Sequence, residues 1–573
     1  MGFLKALLVA VYALHPNFSH AETAPNYSFV HESTKAPPVS YHDYIVVGGG
    51  AAGCPLAATL AETANVLVLE RGGSPYRNPG KTDKGNFLLT LSDPSPDSYA
   101  QIFVTEDGVY NHRARVLGGG TVINAGFYSH AETEFVKESG LDEALVNDAY
   151  QWVENKVVFK AQLLQWQTAV RDGLLEAGVL PYNGFTNEHI NGTKIGSTIF
   201  DMNDHRHSAA DLLEYADPKN IIVYLHATVT KILFPTQTVG SGTRAIGVIY
   251  EDALGEKHTA YLTNDSKSEI IVSAGAIGSS QLLMLSGIGP RSQLEPLGIK
   301  LVMDQPMVGQ GIADNTLNGL FIPSPNPVEL SLLSTVGISL FVNYIEAGSG
   351  LNLAPSFGWI SKFLLSISDQ VFTYNFIPLH IIILQKVARP LSTGHLELRS
   401  TDPNETPKVR FNYFQEPEDL RNCVQGMKTI INVVNSKAFS KFRYQTISTQ
   451  QLLNVVAALP LNQRPRHIDT ASSLEQFCND TVMTFWHHHG GCQVGKVVGE
   501  DYKVIGVDGL RVIDASTFSF TPGTNPQATV MMLGRAMGVR IQKDRLLKEG
   551  FKNHTNRELI KWIVVCYPVC LII

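Results

Sequence analysis

The chain has 573 residues, of which 44% are hydrophobic and 17% charged, with 48 Gly and 29 Pro. Such a length exceeds one ordinary core, so at least two closely packed domains are expected, rich in short strands and tight turns. A net charge of −7 offers no broad basic field, which excludes nucleic acid as an expected partner.

Met1-Gly2-Phe3-Leu4-Lys5 is a short, weakly positive start, followed by an apolar run over 6–14 and a small-residue exit near Ser19-His20-Ala21. Residues 1–21 therefore read as a secretory signal peptide, and the chain as a secreted protein. The apolar run is too short to cross a bilayer, and no stable membrane span is expected. Export gives meaning to six N-glycosylation triplets, at Asn26, Asn191, Asn264, Asn404, Asn479 and Asn553, and permits the six cysteines to form disulfides.

Tyr44-Ile45-Val46-Val47 suits a buried parallel strand, and it runs into Gly48-Gly49-Gly50-Ala51-Ala52-Gly53, a helical stretch over 55–63, and a second apolar strand over 66–69 that ends at Glu70. Gly48 permits the tight turn, Gly50 lets backbone approach a pyrophosphate, and Gly53 brings the helix close to the strand. Glu70 stands where a carboxylate accepts hydrogen bonds from the adenosine ribose. This unit binds the ADP half of a dinucleotide, and alone it does not separate FAD from NAD. Cys54, inside the helix, reads as a small buried residue.

Three further segments narrow the reading. The first is Arg115-Val116-Leu117-Gly118-Gly119-Gly120-Thr121-Val122-Ile123-Asn124-Ala125-Gly126-Phe127-Tyr128, whose glycines offer bare backbone to a flat ring or phosphate. The second is a strand over 268–273 leading into a helix over 275–285, another strand-to-helix turn of the Rossmann kind. The third comprises Trp486-His487-His488-His489-Gly490-Gly491, then Leu510-Arg511-Val512-Ile513-Asp514-Ala515-Ser516, then Pro522-Gly523-Thr524-Asn525-Pro526-Gln527. The three histidines suggest a metal at first glance. On a strand only His487 and His489 would converge, with no carboxylate or Cys pair at ligand spacing, so no metal is expected.

In this order, from about Asp43 to Ile541, the motifs resemble the glucose–methanol–choline (GMC) oxidoreductase family, and within it the plant branch of HOTHEAD-like proteins and FAD-containing (R)-mandelonitrile lyases. The resemblance implies an α/β fold, with a Rossmann-like FAD-binding domain and a substrate domain built on a large antiparallel sheet. It implies a GMC amino-terminal module over 41–313, a variable substrate-facing region over 314–389, a carboxyl-terminal module over 390–541 and a tail over 542–573. Residues 390–412 are expected in the large sheet, because Gly394-His395-Leu396-Glu397-Leu398-Arg399 alternates as a half-buried strand. Residues 304–385 are poorly patterned and are expected to carry substrate-facing loops. The cofactor implied is FAD, non-covalent because no His lies within 115–129, although His130 follows at once.

Carried onto this chain, the resemblance assigns cofactor contacts to Gly48, Gly50, Ala51, Ala52, Gly53, Glu70 and Arg71. It adds Val116, Gly119, Thr121, Asn124, Ala125, Gly126, Phe127 and Tyr128, with Val229 near adenine. Trp486, Asp514, Ala515, Asn525, Pro526 and Gln527 complete the set. It also implies a disulfide between Cys423 and Cys478, two buried thiols being the alternative. Phe485, Trp486 and His487 would face the substrate. His487 would act as base, since a neutral imidazole is available near neutrality. Asn525, at a position that is His or Asn in the family, would donate a hydrogen bond to the substrate oxygen.

The implied activity is oxidation of an alcohol CH–OH group by a secreted enzyme of the cell wall or apoplast, the branch suggesting a long-chain ω-hydroxy fatty acid. The rival is a hydroxynitrile lyase acting on a cyanohydrin with a non-redox FAD. Asn525 stands where the lyases carry a second His, and an amide is no general acid or base. A flavin protein without catalysis is the third reading. The electron acceptor is not legible.

Overall fold

A computed structural model describes residues 25–235, 242–339, 343–351, 380–466 and 471–552. The expected signal peptide, the end of the tail with Asn553, and residues 352–379 of the variable region lie outside the described residues. Short apolar, β-branched runs with no polar alternation demand burial on both faces, which only a parallel sheet covered by helices supplies. Such runs build the interior of one six-stranded sheet, all pairs parallel: β1 (Val30–Glu32), a half-buried edge strand, β2 (Tyr44–Val47), β3 (Val66–Glu70), β4 (Ile221–Leu225), β5 (Glu269–Val272) and β6 (Leu510–Val512). Their spatial order is β1-β4-β3-β2-β5-β6, and every residue of β2, β3, β5 and β6 is buried.

Three helices set the nucleotide face of this sheet: α1 (Gly53–Leu60), α2 (Gly275–Leu285) and α3 (Gln527–Lys552). α1 is buried along its whole length, which explains its lack of a polar stripe, and α3 packs across it. Gly53 makes the close approach possible: a Cβ there would lie 2.0 Å from Gly48 O. Gly48 itself turns the chain at φ +100°, a conformation glycine adopts without penalty.

The second layer is a seven-stranded sheet in the order 483–484, 316–323, 380–387, 343–351, 335–338, 192–195, 182–185, antiparallel except for its last pair. This corrects two sequence expectations. Where substrate-facing loops are expected, the described part of 304–385 supplies principal strands of the large sheet, at Thr316–Pro323, Thr335–Ile338, Asn343–Leu351 and the start of His380–Val387, and 390–412 lie outside it. Gly394–Glu397 instead pairs with Gln310–Ile312 and Lys408–Arg410 in a separate three-stranded sheet. The physical reason is burial on both sides: Thr316–Pro323 is buried at every residue but the last, so the period-two pattern of a half-exposed strand is missing. Helix Pro417–Asn435 covers the sheet. The disulfide Cys423–Cys478, Cα–Cα 6.3 Å, ties that helix to Leu474–Asp480. No described helix is long and apolar enough to cross a membrane.

Candidate active site

The carboxyl ends of β2, β3, β5 and β6 open onto a cavity of about 350 Å³ whose far wall comes from the 485–488 segment beside the antiparallel sheet. Ligands of open α/β sheets bind at such strand ends. Of the sequence-assigned residues, the cavity is lined by Gly48, Gly50, Ala51, Ala52, Glu70 and Arg71, by Val116, Gly119, Thr121, Asn124, Ala125, Gly126 and Phe127, and by Val229. Phe485, Trp486, His487, Asp514, Ala515, Asn525, Pro526 and Gln527 complete that set. Two assigned residues stand elsewhere. Gly53 works behind the wall through its contact with Gly48, and the Tyr128 ring is fully buried away from the cleft, against His130. His130 also faces away, with Nε2 2.5 Å from Glu154 and Nδ1 3.1 Å from Glu188.

At the nucleotide end the walls are bare backbone. A Cβ on Gly50 would meet nothing closer than 3.8 Å, and one on Gly120 or Gly275 nothing within 4 Å. The amino ends of α2 and α3 open onto the same space, favouring negative charge. Glu70 accepts hydrogen bonds from Gly49 N (3.0 Å) and Gly72 N (2.7 Å), so the carboxylate is held in place while each oxygen keeps a lone pair for a ribose hydroxyl. Burial pushes its pKa up, and those amides pull it back. Asp514 Oδ2 accepts from Gly275 N (2.8 Å) and Ser279 Oγ (2.6 Å), while Oδ1 accepts from Ser516 N (2.8 Å), binding the two strand-to-helix turns together. Asn124 Nδ2 donates to Gln527 Oε1 (2.8 Å) and Gln527 Nε2 to Phe127 O (2.6 Å), closing the middle of the cleft.

At the other end, the chain from Met483 to His489 runs antiparallel to 313–317: Thr316 pairs with Thr484 and Ala313 bridges His489. The His triplet is thus a bulged loop rather than an alternating strand, with Trp486 at φ +59°, a strained conformation for a bulky residue. Its indole donates to His112 Nδ1 at 3.0 Å. Asp314, absent from the sequence-assigned set, holds the loop: Oδ1 accepts from His487 N (2.8 Å), and Oδ2 from Thr484 Oγ (2.5 Å) and Tyr413 Oη (2.6 Å). Asn315 Oδ1 lies 3.2 Å from His487 Nδ1. His488 stacks on Phe411 at 5.3 Å with its Nε2 2.7 Å from Asn111 Oδ1, at the edge of the cavity. The described residues hold no cluster of metal ligands.

Burial first, then the Lys386, His488 and His489 charges, drive the His487 pKa well below the ordinary imidazole value. Asn525 faces the same cavity. Behind it, the fully buried Lys386 donates to Asn525 Oδ1 at 2.8 Å and lies 3.9 Å from the equally buried Glu346. Burial lowers the Lys386 pKa and raises that of Glu346. Sequence patterning could not find this pair, because neither residue belongs to a motif.

Glycine-faced strand ends, a carboxylate at the ribose position and a buried imidazole at the far end define a dinucleotide-binding flavoenzyme. The donor set and the open glycine cradle fit FAD. The chain belongs to the GMC oxidoreductase family, whose amino-terminal and carboxyl-terminal models match residues 42–317 and 390–534. It is 48% identical to protein HOTHEAD of Arabidopsis thaliana over 530 residues, covering 88% of this chain and 89% of that protein. It is 47% identical to an (R)-mandelonitrile lyase-like protein of the same plant over 527 residues, covering 90% and 93%. The fold is also that of a formate oxidase variant of Aspergillus oryzae, with a TM-score of 0.71 at 18% identity over 89% of this chain and 99% of that one. The protein is an FAD-dependent oxidoreductase-family enzyme.

Proposed function

We propose that the protein oxidises an alcohol at a CH–OH carbon, with His487 as base and Asn525 as donor to the substrate oxygen. The carrying observation is that an imidazole whose burial disfavours its charged form and an amide line one end of the cavity whose other end presents the glycine turns and Glu70. His487 takes the hydroxyl proton, and Asn525 orients the oxygen and stabilises its growing charge. Bound FAD supplies the two-electron acceptor for the carbon-bound hydride. Phe485, Trp486 and Leu333 give this end an apolar wall, which suits a long-chain ω-hydroxy fatty acid or another apolar alcohol. The 47% identity to an (R)-mandelonitrile lyase-like protein supports a second reading, cyanohydrin cleavage. Asn525 weighs against it, because an amide moves no proton.

We further propose that the protein is exported and glycosylated. The Cys423–Cys478 bridge suits an oxidising compartment, and Asn26, Asn191, Asn264 and Asn404 are exposed. Purified protein mixed without oxygen with a long-chain alcohol, an aryl alcohol or mandelonitrile separates the readings. Bleaching of the flavin absorbance by an alcohol supports oxidation; cyanide release with unbleached flavin supports the lyase.

A further inference from the structure

The imidazole of His487 has two nitrogens, and a base needs the bare one aimed at the substrate. Asn315 precedes the strand Thr316–Pro323, which pairs with Met483–Thr484, so the sheet register places Asn315 beside the catalytic loop. Its side chain is completely buried. Asn315 Nδ2 donates to Val387 O at 2.7 Å and to Ala388 O at 3.1 Å. Both amide hydrogens are therefore spent on carbonyls, and a flipped amide would set its oxygen against those two carbonyl oxygens. Its Oδ1, an acceptor only, is thereby turned to His487 Nδ1 at 3.2 Å. A pairing of that kind exists only when Nδ1 carries the hydrogen. His487 Nε2 makes no hydrogen bond with the described residues, and the ring lines the cavity.

We propose that, with His487 acting as base, Asn315 is its positioning residue: it fixes the Nδ1–H tautomer and leaves the Nε2 lone pair to take the substrate proton. When the hydroxyl proton moves to Nε2, the ring becomes an imidazolium with both nitrogens protonated, and Asn315 Oδ1 accepts a stronger, charge-assisted bond from Nδ1. Asn315 never touches the substrate. The charged and titratable groups around the ring are Lys386 from the neighbouring strand, Asp314 beside Asn315, and His488 and His489 on its own loop. None of these offers Nδ1 an acceptor, so the tautomer falls to Asn315 alone among the described residues.

The test uses the flavin-loaded full chain, with Asn315→Leu, Asn315→Asp and His487→Ala beside the parent. Flavin absorbance reports folding in each. Asn315→Leu, which offers no acceptor, should slow anaerobic flavin reduction by an alcohol about ten- to a hundredfold at every pH. Asn315→Asp keeps an acceptor at Nδ1, and its second oxygen, set against the Val387 and Ala388 carbonyls, holds a proton to donate there, so this variant should restore part of that rate. Independently of turnover, ring ¹⁵N shifts, with the His487 signal assigned by its loss in His487→Ala, should show Nδ1 protonated and Nε2 bare in the parent, and a mixture in Asn315→Leu. A parent with hydrogen on Nε2 or an Asn315→Leu rate within twofold of the parent would each overturn the proposal. Retained turnover in His487→Ala instead defeats the reading of His487 as base, and the ring shifts still decide the tautomer.

Discussion

Replacing Gly50 by Ala should separate cofactor binding from folding. A methyl there would lie 3.8 Å from Ser273 O and 4.0 Å from Gly119 Cα, ordinary contacts that should change apoprotein stability by no more than about 0.5 kcal/mol. The same methyl at Gly53 would land 2.0 Å from Gly48 O, forcing α1 off β2 at a cost of about 1–3 kcal/mol or more. At Gly50 the methyl projects into the space proposed for the diphosphate and displaces a backbone hydrogen bond to a charged group, worth about 1.5–3 kcal/mol. At about 1.4 kcal/mol per tenfold, the Kd for FAD should rise about ten- to a hundredfold. Titrating apoprotein with FAD, followed by flavin fluorescence, measures the affinity, and thermal unfolding of the apoprotein measures the fold. The reasoning fails if Gly50→Ala binds FAD as tightly as the parent, or if its apoprotein unfolds as early as that of Gly53→Ala.

The pH profile of kcat/KM with an alcohol should keep its acid limb below the ordinary imidazole pKa of about 6.5, because His487 is depressed in the fold and the neutral form is the active one. Lys386→Met removes the largest neighbouring charge named for that depression, so the limb should move up towards about 6.5; an unmoved limb would contradict the electrostatic reading. Glu70→Gln turns one amide nitrogen towards Gly49 N or Gly72 N, costing about 1–3 kcal/mol, and should weaken FAD binding in the same titration. Replacing Cys423 and Cys478 by Ser removes a link across 55 residues of sequence and should lower stability by about 2–4 kcal/mol in denaturant unfolding.

The nucleotide unit from Gly48 to Glu70 was legible because its parts are local: strand, turn, helix and acid follow one another, and each glycine has a steric reason. The helix expected over 275–285 is found at Gly275–Leu285 for the same reason, its start fixed by a glycine-led turn. The large sheet was not legible. Its strands at 316–323, 343–351 and 380–387 are covered on both faces and interrupted by Gly319, Gly348 and Gly350, so neither alternation nor a turn signal marks them. Partners 192–195 and 335–338 lie far apart in sequence, where local patterning says nothing. The functional cleft divides similarly. Motifs named His487 and Asn525, whereas Asp314, Asn315 and Lys386, which hold the loop, the imidazole and the amide, are single polar residues whose burial only the tertiary fold creates.

The central claim is that His487 takes the substrate proton while flavin is reduced. Anaerobic stopped-flow mixing of FAD-loaded protein with an alcohol it oxidises tests this in a single turnover. The parent should lose its flavin absorbance, and His487→Ala, with its flavin still bound, should bleach more slowly by about a hundredfold or more. Equal bleaching rates in the two proteins, or a parent whose flavin no alcohol reduces, would contradict the account.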